Sequence, residues 1–171
     1  MSRKCFIIAG GGTGGHLFPG IAVAKELERR VENSEILFVV GVKNIESEIL
    51  SRYGYQKKSL DVQGLSGRGW RKGLPALLKL PKSFLQSLFM IINKRPLLVL
   101  GMGGYSAGPI CLAARIMGIP TAIHEQNSYP GLTNRILARV VDRTFVSFEE
   151  SSSQPSSLQV SAAFFNRRAF K

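Results

Sequence analysis

The chain has 171 residues, 44% of them hydrophobic and 20% charged, a balance that supports a packed core and excludes a disordered chain. Lys and Arg total 23 against 11 acidic residues, and the formal net charge of +12 points to an anionic partner. No uncharged apolar run reaches the ~18 residues of a membrane span, and the N-terminus has no signal-peptide pattern, so a cytoplasmic protein that at most touches a membrane is expected.

Short apolar runs alternate with amphipathic stretches. Strands are expected over 4–9, 36–40, 56–60, 97–100, 121–124 and 144–147, and helices over 20–31, 45–52, 72–93, 108–117 and 131–140. This alternation implies βαβ units: an α/β fold with a Rossmann-like parallel sheet and helices on both faces. Ligands then bind at the carboxyl ends of the strands. Residues 1–150 form this domain. Ser151-Ser152-Ser153-Gln154-Pro155-Ser156-Ser157 opens a serine-rich tail that reads as a linker or a disordered segment. Cys5 and Cys111 sit in apolar runs and are expected as buried thiols, and no Cys/His cluster suggests a metal.

The first strand runs into Gly10-Gly11-Gly12-Thr13-Gly14-Gly15-His16, with Pro19 ahead of the helix. Glycines let a backbone approach a ligand closely, and the helix N-terminus offers free N–H groups and a positive dipole end, which suits a phosphate or diphosphate. His16 adds a group able to move protons near neutral pH. The run also fits G-x-G-x-x-G, so a dinucleotide-binding oxidoreductase is weighed. That fingerprint needs an acid closing the second strand, and here the strand ends Val39-Val40-Gly41-Val42-Lys43.

A second glycine turn, Gly101-Met102-Gly103-Gly104-Tyr105, follows the fourth strand and opens a helix. His124-Glu125-Gln126-Asn127 ends the fifth strand with four polar side chains, the donors and acceptors that sugar recognition needs. Three such loops at one sheet edge carry more weight than any one alone. Both histidines of the chain lie in them.

Between Val62 and His124 there is no acidic residue, while Arg68, Arg71, Lys72, Lys79, Lys82, Lys94, Arg95 and Arg115 are interleaved with aliphatics. Pro81 is expected to break this segment into two helices. The apolar content exceeds one core-facing stripe, and the surplus, with Trp70, Leu74 and Phe84, reads as a patch rimmed by cations that suits an anionic bilayer. A wide core face with solvated lysines is the plainer alternative. Nucleic acid is disfavoured, because the segment is aliphatic rather than rich in base-stacking aromatics.

Three sets occur together and in order: Gly11-Gly12-Thr13-Gly14-Gly15-His16 with Pro19 and Ala22, then Gly101-Met102-Gly103-Gly104-Tyr105 with Gly108-Pro109, then His124-Glu125-Gln126-Asn127 with Gly131, Leu132 and Asn134. Over residues 4–149 they resemble the N-terminal half of the bacterial N-acetylglucosaminyltransferases of peptidoglycan synthesis. The resemblance implies a GT-B fold, two Rossmann-like domains about a cleft, with no metal or cofactor. It implies transfer of GlcNAc from UDP-GlcNAc to the 4-hydroxyl of the MurNAc sugar of lipid I, an undecaprenyl-diphosphate-linked acceptor, with inversion, to give lipid II.

The same resemblance makes His16 the general base or acceptor-orienting group, with Tyr105 and Glu125 in the same catalytic site. It puts Thr13, Gly14, Gly15 and Asn127 toward UDP-GlcNAc, and Gly12, Thr13, Gly14, Gly103, Gly104 and Tyr105 around the acceptor diphosphate. Trp70, Arg71, Lys72, Leu74, Lys79, Lys82 and Phe84 would face the membrane, peripherally, on the cytoplasmic side of the bacterial inner membrane. The family's Gly-Asn-Pro-X-Arg segment and donor-domain motifs have no counterpart here. The expectation is therefore the acceptor domain alone, completed by a separately encoded C-terminal domain if it catalyses transfer. The alternative is a non-catalytic protein that binds lipid-linked diphosphate or membrane.

Overall fold

The structure, a computed structural model, describes residues 3–11, 14–42, 44–62 and 80–148. Six strands, β1 (Lys4–Gly10), β2 (Ser34–Val40), β3 (Gln56–Ser59), β4 (Leu98–Gly103), β5 (Thr121–Glu125) and β6 (Arg143–Val146), form one sheet in the order β3-β2-β1-β4-β5-β6. Every neighbouring pair is parallel. The helices are α1 (Gly14–Arg30), α2 (Asn44–Arg52), α3 (Leu80–Lys94), α4 (Ala107–Ile116) and α5 (Leu132–Leu137). The tail beyond 148 and the stretch 63–79 lie outside the described residues.

β1 explains the three layers. Successive side chains of a strand point to opposite faces, so a strand covered on both sides is apolar throughout. Cys5, Ile7 and Ala9 pack with Ile91 of α3, Ile110 and Ala114 of α4 and Leu137 of α5. Phe6 and Ile8 pack on the other side with Leu17, Ile21, Ala24 and Leu27 of α1 and Leu50 of α2. Cys5 and Cys111 are free and buried, and burial pushes their thiols up to about 11 and about 12.

Two elements differ from expectation. The first helix begins at Gly14, six residues before the expected start at Gly20, and Pro19 lies inside it. A proline removes one helix bond, and here the segment around it is anchored by the fully packed Leu17 and Ile21. His16 therefore sits on a helix rather than in the turn.

The second difference concerns α3. It is described from Leu80, with Pro81 as the next residue. Its buried face is Ser83, Ser87 and Ile91, while Leu85, Phe89 and Ile92 are 65%, 70% and 53% exposed. Each serine hydroxyl donates to a carbonyl of its own helix, Ser83 to Leu80 at 2.9 Å and Ser87 to Ser83 at 2.7 Å. Small, self-satisfied side chains suit close packing of α3 on α4, and they leave the large apolar residues outside. Phe84, expected on the outer patch, is only half-exposed.

The chain runs outward from β1 to β3 and then returns to β4, so the switch point lies between the carboxyl ends of β1 and β4. There the two glycine turns meet. Gly10 pairs with Gly103 in the sheet register, and a Cβ on Gly104 would stand 2.1 Å from the Gly11 carbonyl oxygen. Gly104 also has φ +76°, a backbone state costly for other residues. Gly54 shares that φ but has open space around its Cα. Chemical denaturation should thus find Gly54→Ala destabilised by about 1–2 kcal/mol, the strain of φ alone, and Gly104→Ala by about 3 kcal/mol or more, because the Gly11 backbone must also move. Equal losses at the two positions would refute the backbone contact.

Candidate functional site

Strands β1, β4 and β5 are adjacent, so the three turns predicted at their ends form one edge. Gly11 is held between two neighbours. Gly104 approaches it from β4, and the buried Glu46 of α2 lies on its other side, where a Cβ on Gly11 would meet Glu46 Oε2 at 2.6 Å. Gly12 and Thr13 lie outside the described residues. Gly14 and Gly15 are exposed in the first turn of α1, where backbone N–H groups have no helical acceptor.

His16, two residues into α1, turns its ring onto Gly103. A Cβ there would fall 2.8 Å from the ring Cε1 and 3.0 Å from Nδ1. Gly103, with φ +101°, is thus a glycine twice over: for its backbone and for the ring above it. The Gln126 side-chain amide, one residue past β5, meets His16 Nδ1. His16 is half-buried, and Tyr105, at the start of the turn into α4, is half-buried as well.

Glu125 is placed differently from its expected catalytic role. It is fully buried, and both carboxylate oxygens are engaged. Oε1 accepts from the backbone N–H of Asn127 at 3.0 Å and from its Nδ2 at 2.8 Å. Oε2 accepts from the Gly131 N–H at 3.0 Å and from Asn134 Nδ2 at 2.9 Å. A carboxylate with four donors around it braces the loop from 125 to 134 and is not presented to a substrate. Its work is to set Asn127, whose exposed side chain it fixes at the rim.

Three residues take structural roles that the sequence did not assign them, Gln126 and Asn134 within the motifs already named and Glu46 outside them. Asn134, almost fully buried, ties α5 to β5 by donating to the His124 carbonyl at 3.1 Å as well as to Glu125. Glu46 walls the first glycine turn, and Gln126 holds His16. The Asn134 contact had one visible cue, its position three residues past Gly131 where a helix begins; the other two join elements distant in sequence, Glu46 of α2 to Gly11 and Gln126 to His16 of α1. His124 Nε2 faces Ser147 Oγ at 3.2 Å, and burial pushes His124 below the usual histidine range.

The cationic rim is quieter than the sequence suggests. Lys82 pairs with Asp61 at 3.0 Å and Lys94 with Glu35 at 2.7 Å, and Arg115 lies 3.7 Å from Asp142. These acids come from outside the acid-free segment. Trp70, Arg71, Lys72, Leu74 and Lys79 lie outside the described residues. Among the described residues no cluster of His, Cys, Asp and Glu has the makings of a metal site, and no helix is long and apolar enough to cross a membrane.

The family model of the glycosyltransferase family 28 N-terminal domain matches residues 6–146. A UDP-N-acetylglucosamine--N-acetylmuramyl-(pentapeptide) pyrophosphoryl-undecaprenol N-acetylglucosamine transferase of Syntrophus aciditrophicus is 52% identical over 167 residues, covering 94% of this chain and 46% of the relative. The protein of the same name from Myxococcus xanthus is 48% identical over 145 residues, covering 85% of this chain and 38% of the relative. Among solved structures, MurG of Acinetobacter baumannii superposes with a TM-score of 0.78 at 34% identity, over 92% of this chain and 45% of that one. The UDP-GlcNAc 2-epimerase of Neisseria meningitidis, solved with UDP-GlcNAc bound, shares the fold with a TM-score of 0.63 at 16% identity, over 93% of this chain and 45% of that one. The chain spans less than half the length of these relatives.

Proposed function

The chain belongs to glycosyltransferase family 28, as its N-terminal domain, and on that premise we propose that it is the acceptor-binding half of an N-acetylglucosaminyltransferase that converts lipid I to lipid II. The observation that carries this is the convergence of three turns at one sheet edge, with the His16 ring seated on Gly103. The name shared by the relatives supplies the substrates: a UDP-linked GlcNAc and an undecaprenyl-diphosphate-linked muramyl peptide.

In this proposal the N–H groups of the glycine turns and of the first turn of α1 receive the acceptor diphosphate, where fixed donors and a positive dipole end compensate its charge. The acceptor 4-hydroxyl attacks the anomeric carbon of GlcNAc from the face opposite UDP. As the new C–O bond forms, the bond to UDP breaks, and His16 takes the hydroxyl proton. Tyr105 lines the acceptor side. Gly14, Gly15 and Asn127, with Thr13, border the donor. A second domain, of the kind that makes up the rest of the longer relatives, holds the uridine and closes the cleft.

The exposed stripe Leu85, Phe89 and Ile92 supports a membrane-facing role on the cytoplasmic surface of the bacterial inner membrane. Removing the exposed part of three such side chains from water is worth a few kcal/mol, at about 1–2 kcal/mol each. The fold leaves that energy unclaimed, and the net charge of +12 favours an anionic lipid surface.

Two measurements test these assignments. Calorimetry should find saturable binding of a short-chain lipid I analogue to the purified chain, at least tenfold weaker for His16→Ala, about 1.4 kcal/mol, and tighter than binding of UDP-GlcNAc. Tighter binding of UDP-GlcNAc would make this the donor half and overturn the assignment. Sedimentation with phosphatidylglycerol vesicles should carry the chain down at low salt, and either added salt or Leu85→Glu with Phe89→Glu should release it. Release by neither would exclude the membrane role.

A further inference from the structure

The two histidines of the chain are linked through one amide. Gln126 lies between them, its side-chain nitrogen placed against His16 Nδ1 and its side chain also beside His124. In this orientation the Gln126 Oε1 and His124 Nδ1 are both buried without a hydrogen-bond partner. Amide oxygen and nitrogen are told apart by their partners. As the amide stands, the two orphans can answer each other, His124 Nδ1–H donating to the Gln126 carbonyl; with the amide turned over, the carbonyl meets His16 Nδ1 and the NH2 group reaches His124 Nδ1. His124 Nε2 then donates to Ser147 Oγ, 3.2 Å away.

Charge distinguishes the two orientations. A histidine that takes a proton becomes an imidazolium with N–H donors on both nitrogens. An amide N–H aimed at Nδ1 would oppose that state, whereas a carbonyl accepts from Nδ1 before and after the proton arrives. We propose that Gln126 is the positioning residue for His16: its carbonyl accepts the Nδ1–H, leaves Nε2 unprotonated toward the cleft, and transmits the arrangement through His124 to Ser147. This rests on His16 acting as the base. The titratable groups on the surrounding elements are Glu46 of α2, Tyr105 after β4, and Glu125 and His124 of β5. Glu125 is turned away into its own four hydrogen bonds.

The test reads the imidazoles directly and needs no substrate. Long-range 1H–15N spectra of the full chain labelled at histidine contain two rings, and His124→Gln assigns them. At a pH where both are neutral, His16 should be the Nδ1–H tautomer. Gln126→Ala should shift it toward the Nε2–H form that free imidazole side chains favour. Gln126→Glu keeps an acceptor at Nδ1, so it should retain the Nδ1–H form and raise the His16 titration midpoint above that of the parent chain. An Nε2–H tautomer in the parent chain would overturn the proposal, and so would a His16 tautomer indifferent to Gln126→Ala in a chain with unchanged circular dichroism. If Gln126→Ala does not fold, the parent tautomer and the Gln126→Glu midpoint decide. Absence of acceptor binding by the parent chain with the expected tautomer in place would count against the proposed function alone, so the two failures are separable.

Discussion

The close approach of two backbones, Gly11 and Gly104, is the constraint on which the site depends. Only glycine fits there, and the fit brings the ends of β1 and β4 together across the switch point of the sheet. The next residue inward, Gly103, leaves room for the His16 ring. Add a side chain at either position and the ring or the turn must move. The placement of the His16 ring between the two turns follows from an absence of side-chain atoms.

Around this contact the usual distribution of polar and apolar groups is inverted twice. Glu125 and Asn134 are buried on the β5 side and brace the loop that carries Asn127. Burying a carboxylate is unfavourable unless its lone pairs are met, and four donors meet them here. Meanwhile α3 turns two serines inward and exposes Leu85, Phe89 and Ile92. The first is offset by those four bonds, while the second leaves three large apolar side chains in water.

The strands and the three turns were legible in the sequence because each is a local pattern. A run such as Cys5-Phe6-Ile7-Ile8-Ala9 followed by glycines admits few alternatives. The sheet order follows from topology rules once those strands are placed. What escaped was decided by contacts distant in sequence. Pro19 suggested a later helix start than Gly14. The inward face of α3 was hidden because serine looks like a surface residue until its hydroxyl finds a carbonyl of its own helix. The acid-free stretch suggested free cations, yet Asp61, Glu35 and Asp142 reach in from other elements. Glu125 was visible as a site residue, but its role as a brace appears only when Gly131 and Asn134 are folded back onto it.

If one anionic ligand bridges the three turns, its binding must perturb all of them together. Amide spectra of the 15N-labelled chain, recorded while a short-chain polyprenyl diphosphate-sugar is titrated in, read this directly. The resonances of Gly14, Gly15, Gly104, Tyr105 and Asn127 should shift along one saturation curve, with those of β3 and β6 unmoved. Shifts confined to a single turn, or fitted by different dissociation constants at different turns, would contradict a shared site.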